Sequence, residues 1–206
     1  MRAVLLFLAI WTAQAQQREI GILGGGGFSN HAGIQGATGA SAGFAPGPAV
    51  GVLIGQDLYS RWSGEIRYLL ELRDAHLRSS GTTAGFSGQA HALHYDLVFH
   101  SRPHHYPLRP YVAAGGGVKI YRGTGAETAY RPLMQYGYLT RTHDLKPMLT
   151  VGGGVKFRLG ERLLGRIDFR DQFTRFPVKV ITPAPGMAIQ AWLHDLVPTF
   201  GLTWMF

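Results

Sequence analysis

The chain has 206 residues, with 20 Lys and Arg against 12 Asp and Glu, so its formal net charge is +8. It has no cysteine, which excludes disulfides, thiolate chemistry and cysteine metal sites. Only 16% of the residues are charged, below the ~25% of soluble domains, whereas 29 are glycine, about twice the average. There is no basic helix or nucleic-acid motif, so we expect no nucleic-acid partner.

The first fifteen residues have the pattern of a secretory signal peptide. Met1 and Arg2 form a short positive start, residues 3–11 are apolar, and Ala13-Gln14-Ala15 fits a small-x-small cleavage site. The apolar run is far shorter than the ~20 residues that a membrane-spanning helix needs. We therefore predict a signal peptide over 1–15, cleaved near Ala15, followed by one domain over 16–206.

The rest of the chain consists of segments in which polar and apolar residues alternate. Successive residues of a strand point to opposite faces, so this alternation predicts strands with one apolar face. In the clearest segment, Trp62, Ile66 and Tyr68 share one face, and Glu65 and Arg67 share the other. The eight predicted strands are 18–28, 48–58, 62–73, 88–100, 109–122, 146–159, 163–173 and 192–206.

The connections between these strands alternate in length. The short or moderate ones are 58–61, 101–108 and 160–162, and the long ones are 29–47, 74–87, 123–145 and 174–191. Short turns at one end and long loops at the other are typical of outer-membrane barrels, whose long loops face outward. The predicted fold class is all-β: an eight-stranded antiparallel up-and-down transmembrane barrel in the outer membrane of a Gram-negative-type bacterium, with both termini in the periplasm.

The last predicted strand has a continuous apolar face formed by Phe200, Leu202, Trp204 and Phe206. A soluble protein rarely exposes such an edge, because it invites aggregation. In a membrane barrel the same strand has lipid on its apolar face and a partner on each edge. We interpret these four residues as a C-terminal assembly signal for the barrel-assembly machinery.

If the apolar faces contact lipid, the opposite faces must fill the interior. An eight-stranded barrel has just enough room for side chains, and buried charges must pair there. We predict a structural interior ion-pair network, with a narrow pore as the alternative. A soluble lipocalin-like barrel is disfavoured, because its interior would be apolar. The predicted network consists of Glu65, Arg67, Glu71, Arg73, Asp96, Lys119, Lys156, Arg158, Arg166, Asp168 and Arg170.

Three segments resemble strands of the OmpA/OmpX-like outer-membrane barrels. They are Arg109–Gly117 (RPYVAAGGG), Arg166–Asp171 (RIDFRD) and His194–Phe206 (HDLVPTFGLTWMF). The resemblance implies a small barrel with a structural, adhesive or protective role. Some members continue into a peptidoglycan-binding domain, and we expect none here.

Histidines suggest two further kinds of chemistry. His91 and His94 are three residues apart, so in a strand they point to opposite faces and cannot bind one metal. His104-His105 lies in a predicted solvated turn, and we expect no metal and no cofactor. Ser29-Asn30-His31 and His143-Asp144 are the groups available to a lipid A-modifying enzyme, which is a distant alternative. Without a surrounding motif they predict polar loops, so we expect no catalytic residues and no enzyme activity.

The long loops are where a specific partner would bind. Residues 30–47 are rich in Gly, Ala and Ser, which predicts a mobile segment. Residues 126–144 carry aromatic and basic side chains, which are favoured in binding surfaces and suit lipopolysaccharide phosphates. The alternative is that these aromatics extend the upper girdle of the barrel. We expect a monomer that contacts outer-membrane lipid and lipopolysaccharide, with a possible loop interaction surface formed by Tyr130, Arg131, Tyr136, Tyr138 and Arg141.

Overall fold

The computed structural model describes residues 17–206, and the predicted signal peptide lies outside this part. Fourteen strands form all of its regular secondary structure. Residues 17–206 contain no helix that is long and apolar enough to cross a membrane. In chain order the strands are β1 (Arg18–Ser29), β2 (Ala32–Gly33), β3 (Ala40–Phe44), β4 (Gly47–Asp57), β5 (Trp62–Leu72), β6 (Ala75–Ser79), β7 (Thr82–Phe86), β8 (Gly88–His100), β9 (Leu108–Gly123), β10 (Gly137–Leu139), β11 (His143–Arg158), β12 (Leu163–Arg175), β13 (Ile181–Pro183) and β14 (Trp192–Met205).

Eight of these strands close into one antiparallel barrel, which confirms the predicted fold class. Their order around the barrel is β1-β14-β12-β11-β9-β8-β5-β4, and β1 pairs with both β14 and β4. The barrel strands correspond to the eight predicted segments. The largest difference is at β11, which begins at His143 instead of at the predicted 146. Because the sheet closes on itself, no barrel strand has a free edge.

Each barrel strand alternates between an apolar outer face and an interior face. On β4, Val50, Val52 and Ile54 are 53%, 50% and 56% exposed, whereas Ala49 and Leu53 are each 1% exposed. The same period of two holds around the wall because pleated strands send successive side chains to opposite sides. The outer surface of the barrel is therefore a continuous apolar band.

The long connections fold into a compact cap over one end of the barrel. β2, β3, β6 and β7 form a four-stranded sheet, and β10 pairs with β13. The expectation that residues 30–47 are mobile is wrong, because this segment contains β2 and β3 and its Ala42 is fully buried. The small side chains that suggested mobility instead allow close packing between the strands of the cap.

A hydrophobic cluster, here called the cap core, lies between the cap and the mouth of the barrel. It unites side chains from all four long connections with Tyr121 and Leu193 at the ends of β9 and β14. The large members from the connections are Ile34, Phe44, Leu77, Phe86, Leu133, Leu139, Phe176, Val180, Ile181 and Ile189. Burial of these side chains holds the cap directly on the barrel.

Candidate functional site

The half of the barrel interior that is away from the cap, here called the lower half, contains an ion-pair network centred on Glu65. This residue of β5 is fully buried, and three cations, one each from β5, β11 and β12, surround its carboxylate. Its Oε2 atom accepts hydrogen bonds from Arg67 Nη2 at 2.7 Å and Arg166 Nη2 at 3.0 Å. Lys156 Nζ lies 2.9 Å from Oε1. Such close pairing offsets the cost of removing the charges from water.

Two further carboxylates extend this lower network towards β8 and β12. Asp168 lies 2.7 Å from Arg166 Nε and 3.0 Å from Arg67 Nη2. Asp96 lies 3.5 Å from Arg170 Nε and accepts a hydrogen bond from Thr150. Arg166, Asp168 and Arg170 all come from β12, where a period of two points them to the same side.

The upper half of the interior contains a second network, built from Glu71, Arg73, Lys119 and Asp195. Lys119 Nζ donates to Glu71 Oε1 at 2.7 Å and to Asp195 Oδ2 at 2.8 Å. Arg73 Nη1 donates to Asp195 Oδ1 at 2.9 Å and to Glu71 Oε2 at 3.2 Å. Two cations and two carboxylates therefore form a closed square beneath the cap.

An apolar layer separates the two networks. Leu69 lies between Arg67 and Glu71 on β5, and Val197 lies on β14 two residues after Asp195. These two side chains are each 1% exposed. The other members of the layer are Leu23, Ala49, Leu53, Ala92 and Met148. The interior is thus filled by alternating charged and apolar layers.

The interior is electroneutral when histidine is counted as uncharged. Arg109 and Asp57, 3.8 Å apart at the mouth opposite the cap, complete a set of seven cations and seven anions. The cations are Arg67, Arg73, Arg109, Lys119, Lys156, Arg166 and Arg170, and the anions are Glu19, Asp57, Glu65, Glu71, Asp96, Asp168 and Asp195. The excess positive charge of residues 17–206 therefore lies outside the interior, towards the two ends of the barrel.

Ten of the eleven residues of the predicted network lie in the interior, where they are divided between the lower and the upper network. The prediction is wrong for Arg158, which is exposed at the end of β11 and donates from Nη2 to His104 O at 3.2 Å. Its parity is inward, but it is the last residue of β11, at the end of the barrel opposite the cap, where its side chain reaches solvent. The sequence analysis missed Glu19 and Asp195, although alternation with outward Ile20 and Leu196 would have placed both inside.

The C-terminal residues lie on the lipid-facing side of the closing strand. Phe200, Leu202, Trp204 and Phe206 are 68%, 48%, 50% and 65% exposed. The backbones of Phe206 and Arg18 exchange hydrogen bonds of 3.0 and 3.1 Å, which close the barrel between β14 and β1. The role of these four residues as an assembly signal stays a prediction.

The five residues of the predicted loop surface divide into two groups. Tyr130 is 81% exposed, and Tyr138 and Arg141 also face solvent. Arg131 instead holds its own loop, because its Nη1 donates to Gly85 O at 2.9 Å and its guanidinium stacks on Phe86. Tyr136 is half-buried against the cap core. The available surface is therefore smaller than the sequence predicted.

The residues considered for catalysis are not brought together. Ser29 points into the barrel, where its hydroxyl bonds to Asp195, whereas His31 stacks on His76 in the cap. His76 is 3% exposed, and burial, aided by Arg78 and His31, lowers its pKa to about 4.

A serine–histidine pair that the sequence analysis missed lies at the end of the interior opposite the cap. Ser63 Oγ and His100 Nε2 are 2.9 Å apart, and both residues are buried. His100 Nδ1 has no hydrogen-bond partner within residues 17–206, so the acid that orients a catalytic histidine is missing from this part of the chain. The same described residues contain no group of three or more potential metal ligands.

The fold and interior define a small eight-stranded barrel of the outer-membrane type. The outer membrane protein OprG from Pseudomonas aeruginosa has the same fold, with a TM-score of 0.58 and 13% identity over 91% of this chain and 95% of that chain. Neisserial surface protein A gives a TM-score of 0.55 and 9% identity, covering 92% of this chain and 97% of that chain. The N-terminal barrel domain of Pseudomonas aeruginosa OprF gives 0.50 and 14%, with the same coverage of 92% and 97%.

These likenesses confirm, at the level of fold, the resemblance to OmpA/OmpX-like barrels that the sequence indicated. No family model matches the chain, and no curated protein matches it in sequence.

Proposed function

We propose that this chain is a closed, non-catalytic outer-membrane barrel whose folded cap presents an interaction surface outside the cell. The observation that carries the proposal is the filling of the interior by two balanced ion-pair networks and the apolar layer between them. The lower network surrounds Glu65, and the upper one joins Lys119 to Asp195. The role is structural or adhesive, and transport is the alternative.

A closed interior follows from the energetics of its layers. An ion that moved through the barrel would have to break short pairs such as Lys119–Glu71 at 2.7 Å. It would then have to cross the apolar layer around Leu53 and Leu69, where an unpaired charge is very costly. The cap core adds a further barrier above the upper network.

The outer-membrane location is supported by the apolar band and by the arrangement of the connections. Aliphatic and aromatic side chains are exposed all around the wall. Their contact with water would be unfavourable, whereas their contact with lipid is favourable. All eight barrel strands are paired within one chain, which suits a monomer. The exposed face of β14 is available to the barrel-assembly machinery before the barrel closes.

The interaction surface is the outer face of the cap. Tyr130, Tyr138 and Arg141 are exposed on connections that the cap core holds in place. Tyrosine and arginine are favoured in binding surfaces, and a rigid support lowers the entropy lost on binding. Lipopolysaccharide is the proposed neighbour, because Arg122 and Arg141 at the capped end have no ion-pair partner within residues 17–206.

The test is the conductance of the full-length protein folded in a planar bilayer. Folding is checked first by the different gel migration of boiled and unboiled samples. We expect no channel events from the folded protein. Discrete openings whose unit conductance changes in an Arg67→Gln variant would contradict the closed interior, because they would show that ions pass the lower network. The Arg102→Gln variant, changed in an exposed periplasmic turn, serves as the control for an altered net charge.

A further inference from the structure

A basic pocket lies on the outer rim of the barrel, where β9 and β11 enter the cap. Its volume is about 210 Å³, and it lies outside the interior networks. The lining consists of two arginines, one histidine, two threonines and a glycine: Arg122, Arg141, His143, Thr124, Thr142 and Gly123. This combination offers several hydrogen-bond donors and no carboxylate.

The pocket is held in shape by close contact between the two ends of the connection that joins β9 to β11. Gly123 N–H donates to Thr142 O at 2.9 Å. A Cβ atom at Gly123 would lie 2.2 Å from Thr140 O, so only glycine permits this approach. Glu127 Oε1 accepts a hydrogen bond of 2.6 Å from the backbone N–H of Arg141, which fixes the start of the segment that leads into β11.

The cations of this pocket differ from those of the interior. Every interior cation faces a carboxylate, and on the nearby rim Lys146 pairs with Asp144 at 3.0 Å. Within residues 17–206, neither guanidinium of the pocket, Arg122 or Arg141, has an ion-pair partner. Two unpaired arginines beside a histidine create a local excess of positive charge that suits an anion.

The pocket lies directly above the lipid-facing wall. Arg122 of β9 is opposite His143 of β11, and both side chains face outward. The next outward pair in the same register is Ile120 opposite Leu145, about 7 Å further down the strands. Leu145 is 55% exposed on the apolar band. A molecule held by Arg122 can therefore place a hydrocarbon chain along this wall.

Polar side chains on the outer face continue from the level of Arg122 down to the level of Leu93. Gln89 is opposite Arg122 in the neighbouring pair of strands. Its amide lies 3.1 Å from His91 Nε2, and His91 Nδ1 lies 2.7 Å from the hydroxyl of Tyr68. These three residues face outward and are partly exposed. Tyrosine and histidine with polar tips are typical of the zone where lipid headgroups begin.

We propose that this pocket binds the phosphate monoester headgroup of an outer-leaflet lipid. Arg122 and Arg141 would donate to the phosphate oxygens, with His143 and the threonine hydroxyls as further donors. A phosphate monoester carries close to two negative charges and three acceptor oxygens, which two guanidinium groups match. The lipid chain would lie against Ile120 and Leu145. This inference rests on the proposed outer-membrane location, but not on a closed interior.

The experiment is native mass spectrometry of the full-length protein, folded in detergent and mixed with phosphatidic acid as the phosphate monoester probe. We expect a one-to-one complex, with about tenfold weaker binding by the Arg122→Gln/Arg141→Gln variant. The matched control is Arg102→Gln/Arg162→Gln, which removes the same charge from exposed periplasmic turns and should bind as the wild type does. Arg141→Gln alone is the second variant, because its exposed side chain can change without disturbing the barrel.

Three results would overturn the proposal. Equal loss of binding in both double variants would show that net charge, and no particular pocket, attracts the probe. Equal binding of phosphatidylcholine would remove the requirement for a monoester. Full competition by inorganic phosphate at the concentration of the lipid would show that the chain-facing wall contributes nothing. Conductance in the separate bilayer experiment would contradict the closed interior and leave this test unaffected.

Discussion

Tyr121 connects the cap core to the ion pairs of the barrel interior through Asp195. Its hydroxyl donates to Asp195 Oδ2 at 2.9 Å and lies 2.8 Å from Thr174 Oγ1. Its ring stacks on Phe44 of the cap, with the ring centroids 5.1 Å apart. The same side chain therefore belongs to the apolar cluster and to the upper network, so the cap and the barrel should stabilise each other.

The Tyr121→Phe variant tests this connection. The ring and its stacking on Phe44 are kept, but Asp195 loses one donor in a fully buried position. We expect the free energy of unfolding to fall by about 1–3 kcal/mol, because a buried acceptor is left less satisfied. Urea unfolding in detergent micelles measures the change. Tyr130→Phe is the control, since Tyr130 is exposed, and an equal effect in both variants would contradict the proposed connection.

Glu65 should be the interior residue least tolerant of neutralisation. Its carboxylate lies within 3.0 Å of three cations, and none of them is exposed to water. Glu65→Gln would leave an excess positive charge in the lower network, and we expect a loss of about 3–5 kcal/mol in unfolding free energy.

The midpoint temperature of the gel-shift transition between folded and unfolded protein follows this loss. The control is Glu161→Gln, which removes the same charge from an exposed turn and should change the midpoint little. A Glu65→Gln variant as stable as the control would mean that water or ions reach the network and screen it.

The barrel wall could be predicted because the alternation of polar and apolar residues that defines it is visible within each strand. On β5 the alternation of Ile66 and Tyr68 with Glu65 and Arg67 distinguishes the outer side chains from the interior ones directly. The same rule gave a wrong prediction for Arg158, because alternation tells which face of a strand a residue is on but not where the barrel wall ends. Asp195 follows the same alternation, but the sequence analysis did not include it in the predicted network.

The cap could not be predicted in the same way. β3 is buried along almost all of its length, so its residues do not alternate in polarity. Its Ala42 pairs with Ala32 of the same connection and with Leu77 of the next one, so this pairing depends on contacts that are distant in sequence. Small side chains that fit between strands look the same in sequence as those of a flexible loop. The rim pocket at Arg122 and Arg141 likewise depends on how the two ends of one long connection meet.

The buried His76 predicts a dependence of cap stability on pH. Its pKa is lowered to about 4 by burial, Arg78 and His31, whereas an unfolded cap would restore the ordinary value of about 6.5. Between these values the unfolded state binds a proton that the folded state does not. Cap stability should therefore be constant above the unfolded value, fall as the pH drops through this window, and level off below the folded value.

The measurement is the difference in unfolding free energy between about pH 7.5 and about pH 5, both within reach of chemical denaturation. His76→Leu should reduce this difference, because the titrating group is gone. His104→Gln/His105→Gln, changed in an exposed turn at the end opposite the cap, should retain the wild-type difference. If His76→Leu also retains it, carboxylates elsewhere cause the acid sensitivity.

Gly117 should tolerate no larger side chain, because it faces the interior where β9 pairs with β8. A Cβ atom there would lie 2.0 Å from Leu93 O and 2.6 Å from the Cα atom of His94. Both contacts are with backbone, which cannot rotate away, so Gly117→Ala should force the two strands apart. We expect loss of the heat-modifiable folded form, or a fall in unfolding free energy above about 3 kcal/mol, as for severe overpacking.

Gly24→Ala is the matched control, since nothing lies within 4 Å of a Cβ atom at that strand glycine. Folding yield from urea into micelles compares the two variants. Equal yields would show that the strands can separate at Gly117, and hence that the interior is less tightly filled than its ion pairs and apolar layer indicate.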